Sequence, residues 1–456
     1  MRSIQPSGGT LRRAVVLGAV AATMTAGVTA CSSSGTASSS SSSSTGGQAA
    51  IDAALQKTSS ITVWDWAGIT PMVTAFEKKY PKIKVNVVNA GTGTTEYTKL
   101  QNAVKAGSGV PDVAQIEYFA LPQFALSGAL ANLGDYGLSS MKSQYSQAIW
   151  DGVNVNGQLV GLPQDSGPMA LFYNQKVFTQ YGLTVPTTWD EYVADAKKLH
   201  AADPTKYITN DVGDPGFVTS MIWDAGGTPF KVNGTTNVSI NLQDAGSKKF
   251  AGEWNQLVQG GDFSPISSWT TQWYQALGNG SIASLVTGAW MPGVFEGSVT
   301  GGSGDWRVAP MPTWTAGGAA ATSENGGSSD AVMKQSANPL VAAGFVEFLD
   351  GQEGETILAN GGGFPSMTSV LESSSFLDQA PAYFGGQKIN QVLSAATKSV
   401  ISGWNYLPYE VYANSIFSDT VGQAYANKTD LNAALTKWQT SLVSYGQAQG
   451  FTVSGS

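Results

Sequence analysis

Ile61-Thr62-Val63-Trp64 is followed by Pro71-Met72-Val73-Thr74-Ala75-Phe76-Glu77-Lys78-Lys79-Tyr80, then by Ile83-Lys84-Val85-Asn86-Val87-Val88. The first run is short and apolar, as a buried strand requires. The second places Met72, Val73, Phe76 and Tyr80 at helical spacing, with Pro71 near the start, where its missing N–H costs little. The third alternates as a strand. Thr95 to Ala106 reads as a second helix, and Val110 to Ile116 as a third strand after Gly107-Ser108-Gly109. Strand, helix, strand, helix, strand in this rhythm implies a mostly parallel sheet with right-handed crossovers.

Outward from this stretch the same grammar recurs. Leu159 to Leu162 and Met169 to Tyr173 read as strands, and Trp189 to His200 as a helix. Val341 to Leu349 reads as a helix continued or succeeded by Gly351 to Leu358, and Leu431 to Tyr445 as a terminal amphipathic helix. With 456 residues and no fixed-period repeat, two α/β lobes are expected rather than one oversized core.

The N-terminus reads as a targeting segment. Arg12-Arg13 precede an apolar run, Ala14 to Val28, that is short for a membrane span. Val28-Thr29-Ala30-Cys31 resembles a bacterial lipobox, in which the Cys thiol is acylated and becomes the mature N-terminus. Residues 1–30 are thus expected to be a signal peptide, and residues 31–58 the lipidated Cys31 with a Ser/Gly-rich tether. The seventeen residues from Ser32 to Gln48 would reach roughly 20–25 Å as a flexible coil. The expected location is the extracellular face of the cell membrane, held by lipid alone.

Composition excludes several functions. Only four Arg occur, and Arg2, Arg12 and Arg13 lie in the targeting segment. A chain starting at Cys31 has 21 basic and 32 acidic side chains, or −11. That balance, without Lys/Arg clusters, excludes nucleic-acid binding. One Cys and one His exclude disulfides, Cys-based zinc sites and two-His metal motifs. Neither a P-loop nor a nucleophile elbow is present. No metal, cofactor or catalytic residue is expected. His200, beside Lys197 and Lys198, reads as a partner of its helix C-terminus.

Several local patterns, taken in order, resemble the maltose-binding-protein-like solute-binding lipoproteins of carbohydrate ABC importers. They are Val110-Pro111-Asp112-Val113 with Leu126-Ser127-Gly128-Ala129-Leu130 and Leu133, and Asn156-Gly157-Gln158-Leu159-Val160-Gly161-Leu162-Pro163. Leu171-Phe172-Tyr173-Asn174 follows, then Tyr181-Gly182-Leu183 and Pro186-Thr187-Thr188-Trp189-Asp190-Glu191. Gly288-Ala289-Trp290 and the run Asn338 to Leu349 complete the set, which covers about residues 59 to 365. Gln158 stands where the family usually has Lys.

The resemblance implies a two-lobed periplasmic-binding-protein fold, type II-like, each lobe a mostly parallel sheet flanked by helices. Lobe 1 would be 59–153 plus 313–365, and lobe 2 154–312 plus 366–456, joined by a hinge. Ligand would bind between the lobes at the loops after strand C-termini and shift the population toward a closed form. The implied partners are a neutral carbohydrate and the permease subunits of an ABC importer, with the chain acting as a monomer.

Sugars offer hydroxyls for planar carboxylates and amides, and C–H faces for aromatic rings. The 13 Trp fit such a ligand, and the near absence of Arg disfavours anionic ones. Trp64, Asp65 and Trp66 end the first strand, with the two indoles on one side and Asp65 on the other. Glu117 and Tyr118 follow the third strand, where the family often contacts sugar. Asp165 follows another strand near the expected lobe crossing. Trp223 and Trp290 lie beside Gly-rich loops that let a ligand approach. Glu324 and Asn325 resemble a cleft loop, and Trp404 and Tyr406 follow the break at Gly403. Trp189, Trp254 and Trp438 sit at helical positions and read as core.

Three alternatives stay open. A secreted glycoside hydrolase could pair Asp65, Glu117 and Asp165 across a cleft. A surface adhesin could use the Ser-rich tether. A binding protein could take a peptide or amino acid, although Arg307 alone is a poor clamp for a carboxylate.

Overall fold

The computed structural model describes residues 47–455; Cys31 and most of the expected signal and tether lie outside them. A five-stranded sheet runs in the order Ile83–Val88, Ser59–Trp64, Val113–Glu117, Ser328–Val332, Leu162–Pro163. The first three strands are parallel, with Ile61 opposite Val85 and Val63 opposite Val113. Ser328–Val332 joins antiparallel to both of its neighbours. The helix Thr70–Lys79 buries Met72 and Phe76. Phe76 meets Phe345 and Phe348 of the helix Pro339–Leu349 edge-on, at centroid distances of 5.0 and 5.3 Å.

Residues 48–55, assigned above to the tether, instead form the helix Gln48–Leu55. Ile51 and Leu55, four apart on one face, are buried against Pro339–Leu349. A Cβ at Gly344 would sit 2.7 Å from Ile51, so that glycine sets how closely the helices approach.

The second lobe departs from the expected parallel sheet. Met169–Asn174 lies between Ser284–Gly288 and Trp306–Ala309, and both neighbours run antiparallel to it. These partner strands return after long excursions, which removes the geometric need for a β–α–β crossover. A second sheet pairs the hairpin Phe230–Asn233 and Asn237–Ile240 with the C-terminal strand Thr452–Gly455. The helix Trp189–Ala202 starts with a capping box, in which Thr188 Oγ1 accepts from Glu191 N and Glu191 Oε2 accepts from Thr188 N. Trp189, Trp254 and Trp438 are fully buried in this lobe's core, as their helical positions suggested.

Residues 164–168 and 310–327 join strands of the five-stranded sheet to strands of the sheet built on Met169–Asn174. The two passages meet at a bridge between Pro168 and Glu324. The stretch from 366 onward does not join the second core at once. Met367 to Leu393 extend the first core, which also takes in Phe172 and Trp306, and the second core is joined from Leu407. No helix among the described residues is long and apolar enough to cross a membrane.

Candidate functional site

Two cavities open where the lobes face each other, and eight of the twelve expected ligand contacts line one or both of them. The larger, about 460 Å³, is lined from the first lobe by Gly93, Thr94, Glu117 and Phe119. From the second it is lined by Asp211, Asp214, Phe217, Trp269, Trp273, Trp290 and Glu410, with Asn325 and Tyr406 between. The smaller, about 280 Å³, is lined by Tyr118, Asp151, Asn154, Trp223, Glu324, Trp404 and Tyr406 among others. Glu117 and Phe119 thus serve one cavity and Tyr118 the other, and Asn325 and Glu324 divide in the same way. The turn after Val113–Glu117, closed by Ala120 N donating to Glu117 O at 2.9 Å, sends Glu117 and Tyr118 to different spaces.

In the larger cavity Trp290 is fixed by its N–H, which donates to Asn325 O at 2.7 Å. Gly288 and Gly326 make room for this ring. A Cβ would lie 2.4 Å from Nε1 at the first and 2.8 Å at the second, where φ is 82°. Trp273 donates its N–H to Asn210 Oδ1 at 2.6 Å. Glu117 accepts from Tyr97 Oη at 2.9 Å, and Glu410 accepts from Leu407 N at 3.0 Å. Each of these bonds uses one carboxylate oxygen and leaves acceptor capacity for a ligand. Burial raises Glu117 and Glu410 each to about 7. Asp214 caps the helix Pro215–Asp224 by accepting from Phe217 N at 2.8 Å. Glu117, Trp290, Asn325 and Tyr406 are therefore brought together.

In the smaller cavity Trp223 and Trp404 stack with centroids 5.1 Å apart and planes at 9°. Trp223 donates to Ile401 O at 2.7 Å. Tyr118 Oη donates to Asp165 O at 2.7 Å. Glu324 accepts from Gly167 N at 2.6 Å and from Ser166 Oγ at 3.2 Å, and burial lifts it to about 8. Its carboxylate holds the two crossing segments together.

Four expected contacts line neither cavity. Asp65 is 2% exposed; it accepts from Gln164 Nε2 at 3.0 Å and from Gly68 N at 3.1 Å, closing the turn that ends its strand. Trp64 and Trp66 are half-buried against the first core, and Trp66 meets Tyr97 edge-on at 6.2 Å. Asp165 accepts from Ser328 N at 2.5 Å across the crossing, and burial raises it to about 6. With Asp65 held by Gln164 Nε2 and Gly68 N, and Asp165 by Ser328 N, the carboxylate pair that a hydrolase would need is not assembled.

Sequence reasoning missed Trp269, Trp273, Asp211, Asp214 and Glu410. Signals were there to find: Trp269 interrupts the hydroxyl run Ser267-Ser268-Trp269-Thr270-Thr271, and both Asp residues sit in Asn210-Asp211-Val212-Gly213-Asp214-Pro215-Gly216. His200 ends its helix with Nδ1 3.0 Å from Lys206 O and its ring stacked on Tyr207.

The family model for bacterial extracellular solute-binding proteins matches residues 65–356. The chain belongs to that family. This solute-binding protein is 41% identical to the ABC transporter associated binding protein from B. animalis subsp. lactis Bl-04, solved in complex with β-1,6-galactobiose. The TM-score is 0.79, covering 86% of this chain and 99% of that one. The galacto-N-biose-/lacto-N-biose I-binding protein from Bifidobacterium longum is 29% identical, with a TM-score of 0.75 over 87% and 99% of the chains. The lactose-binding protein of Rhizobium radiobacter is 26% identical over 348 residues, 73% of this chain and 80% of its own. The family is one of binding proteins, not enzymes.

Proposed function

We propose that this solute-binding protein captures a neutral mono- or oligosaccharide in the larger interlobe cavity and delivers it to the permease of an ABC importer. The observation that carries this reading is the lining: three Trp, two Phe and four carboxylates, with no Lys, Arg or His among the described lining residues. Such a surface offers rings to C–H faces and acceptors to hydroxyls, and it offers nothing to grip an anion. The three relatives described above were each named for, or solved with, a sugar or sugar-derived ligand, which supports the same class. A disaccharide of about 23 non-hydrogen atoms, at roughly −0.3 kcal/mol each, would bind near −7 kcal/mol, in the micromolar range.

The proposed ligand contacts are Glu117, Trp290, Asn325 and Tyr406, joined by Trp269, Trp273, Asp214 and Glu410. Cys31 is proposed as the acylated anchor, with the protein acting as a monomer at the outer face of the membrane. Replacing Cys31→Ser should then move the protein from the membrane fraction to the medium.

Calorimetry with β-linked galactobioses, lactose, other neutral sugars and amino acids tests the ligand class. Stoichiometric binding of a neutral sugar without turnover is expected. Silence from every sugar, with a response to a charged ligand, refutes the reading.

A further inference from the structure

Tyr97 is wholly buried on the helix Thr94–Ala106 and does not line the larger cavity, yet its hydroxyl meets a residue that does. The phenol Oη accepts from Glu117 N at 2.9 Å and donates to Glu117 Oε2 at 2.9 Å. The backbone N–H can only donate, so the single phenol proton is left for the carboxylate, and Oε2 accepts it. Oε1 is the oxygen that remains for the cavity. Neighbouring rings keep the phenol in this pose. It meets Trp66 at 6.2 Å, Phe119 at 6.0 Å and Phe124 at 5.8 Å, each edge-on.

We propose that Tyr97 is a positioning residue for ligand capture, holding Glu117 so that Oε1 accepts from a ligand hydroxyl, without touching the ligand itself; this rests on the carbohydrate reading above. Trp66, which lines neither cavity, then serves the site at one remove, as a wall of the Tyr97 pocket. The charge around Glu117 gives the bond its weight. Burial raises this carboxyl to about 7, the Tyr97 hydrogen bond opposes the rise, and Asp165 and Asp214 add repulsion. Tyr406 faces it too, and Asp211 and Glu410, each raised by burial to about 7, share the cavity. The phenol therefore favours the ionised form of Glu117, which is the stronger acceptor for a hydroxyl. Affinity should rise with pH as Glu117 ionises near 7, and losing the phenol proton should move that rise to higher pH.

The test is calorimetry with β-1,6-galactobiose and lactose from about pH 5 to 9 on the wild type, Tyr97→Phe, Glu117→Ala and the double variant, with folding checked by circular dichroism. Tyr97→Phe keeps the ring and its aromatic contacts. It should weaken binding about tenfold near pH 7 and shift the pH profile upward. In the Glu117→Ala background the same change should cost less than about twofold, because the group it acts through is gone. An equal loss in both backgrounds marks a merely structural role and overturns the assignment. So does wild-type affinity in folded Glu117→Ala, or a wild-type pH profile in folded Tyr97→Phe. Where Glu117→Ala binds too weakly to complete the cycle, the Tyr97→Phe profile decides. A wild-type protein that binds neither sugar, nor any other neutral sugar, overturns the carbohydrate reading instead.

Discussion

Trp290 and Asn325 are joined by a single bond, from the indole N–H to the backbone carbonyl at 2.7 Å, that ties a second-lobe ring to a segment crossing between lobes. Removing the ring takes away a stacking surface, and removing the N–H alone loosens its seat. Trp290→Ala should weaken sugar binding about tenfold to a hundredfold, and Trp290→Phe less. Titration calorimetry measures both. Unchanged affinity in Trp290→Ala would remove this residue from the site.

The division of the lobe interface into two cavities predicts a contrast. Trp404 lines only the smaller one, stacked on Trp223. Trp404→Ala should leave disaccharide affinity within about threefold, or ~0.7 kcal/mol. A loss as large as that of Trp290→Ala would show that ligand reaches the smaller cavity.

Trp254 links core to cleft. It is fully buried amid Trp189, Phe217, Phe250 and Phe263, and it donates to Asp211 Oδ2 at 2.8 Å. Trp254→Ala should destabilise the fold by about 3–5 kcal/mol, and chemical denaturation would report it. Leaving Asp211 short of a partner should also lower affinity in whatever fraction stays folded.

Stability should fall as pH rises. Glu96 is wholly buried, and burial, with Asp65 and Asp330 adding repulsion, raises it from 4.5 to about 8. Burial and neighbouring carboxylates also push Asp350 upward, and Glu355 is raised chiefly by burial. A raised carboxyl favours the folded state fully below its unfolded value, and that advantage fades as pH climbs through the folded one. For Glu96 the window is 4.5 to about 8, at ~1.4 kcal/mol per pH unit. Glu96→Gln should flatten the profile between pH 5 and 8 and be the more stable form at pH 8. An unaltered profile would mean that Glu96 does not titrate in this range.

Local signals carried the fold a long way. Ile83–Val88 appears with the bounds that alternation suggested, and Leu431–Ala448 buries Leu431, Leu435, Trp438 and Leu442 along one stripe. The antiparallel sheet of the second lobe was harder to read, because its pairings join residues more than a hundred positions apart. The site was only half legible. A Trp beside glycines, such as Trp290, advertises open space, whereas Asp65 between two indoles looks like a ligand contact and is a turn former. Trp269 carried a signal in the hydroxyl run around it, but its place beside Trp290 is set by the fold.

The helix Gln48–Leu55 has a mechanical meaning. Its Gln48 donates to Glu347 at 3.0 Å, and its apolar face is pressed onto the helix Pro339–Leu349. Any pull on the chain ahead of Gln48 would run through this helix pair into the five-stranded sheet. The first lobe would then bear the load as a fixed mount. The second lobe, with the C-terminal strand sewn into it, lies off that direct path.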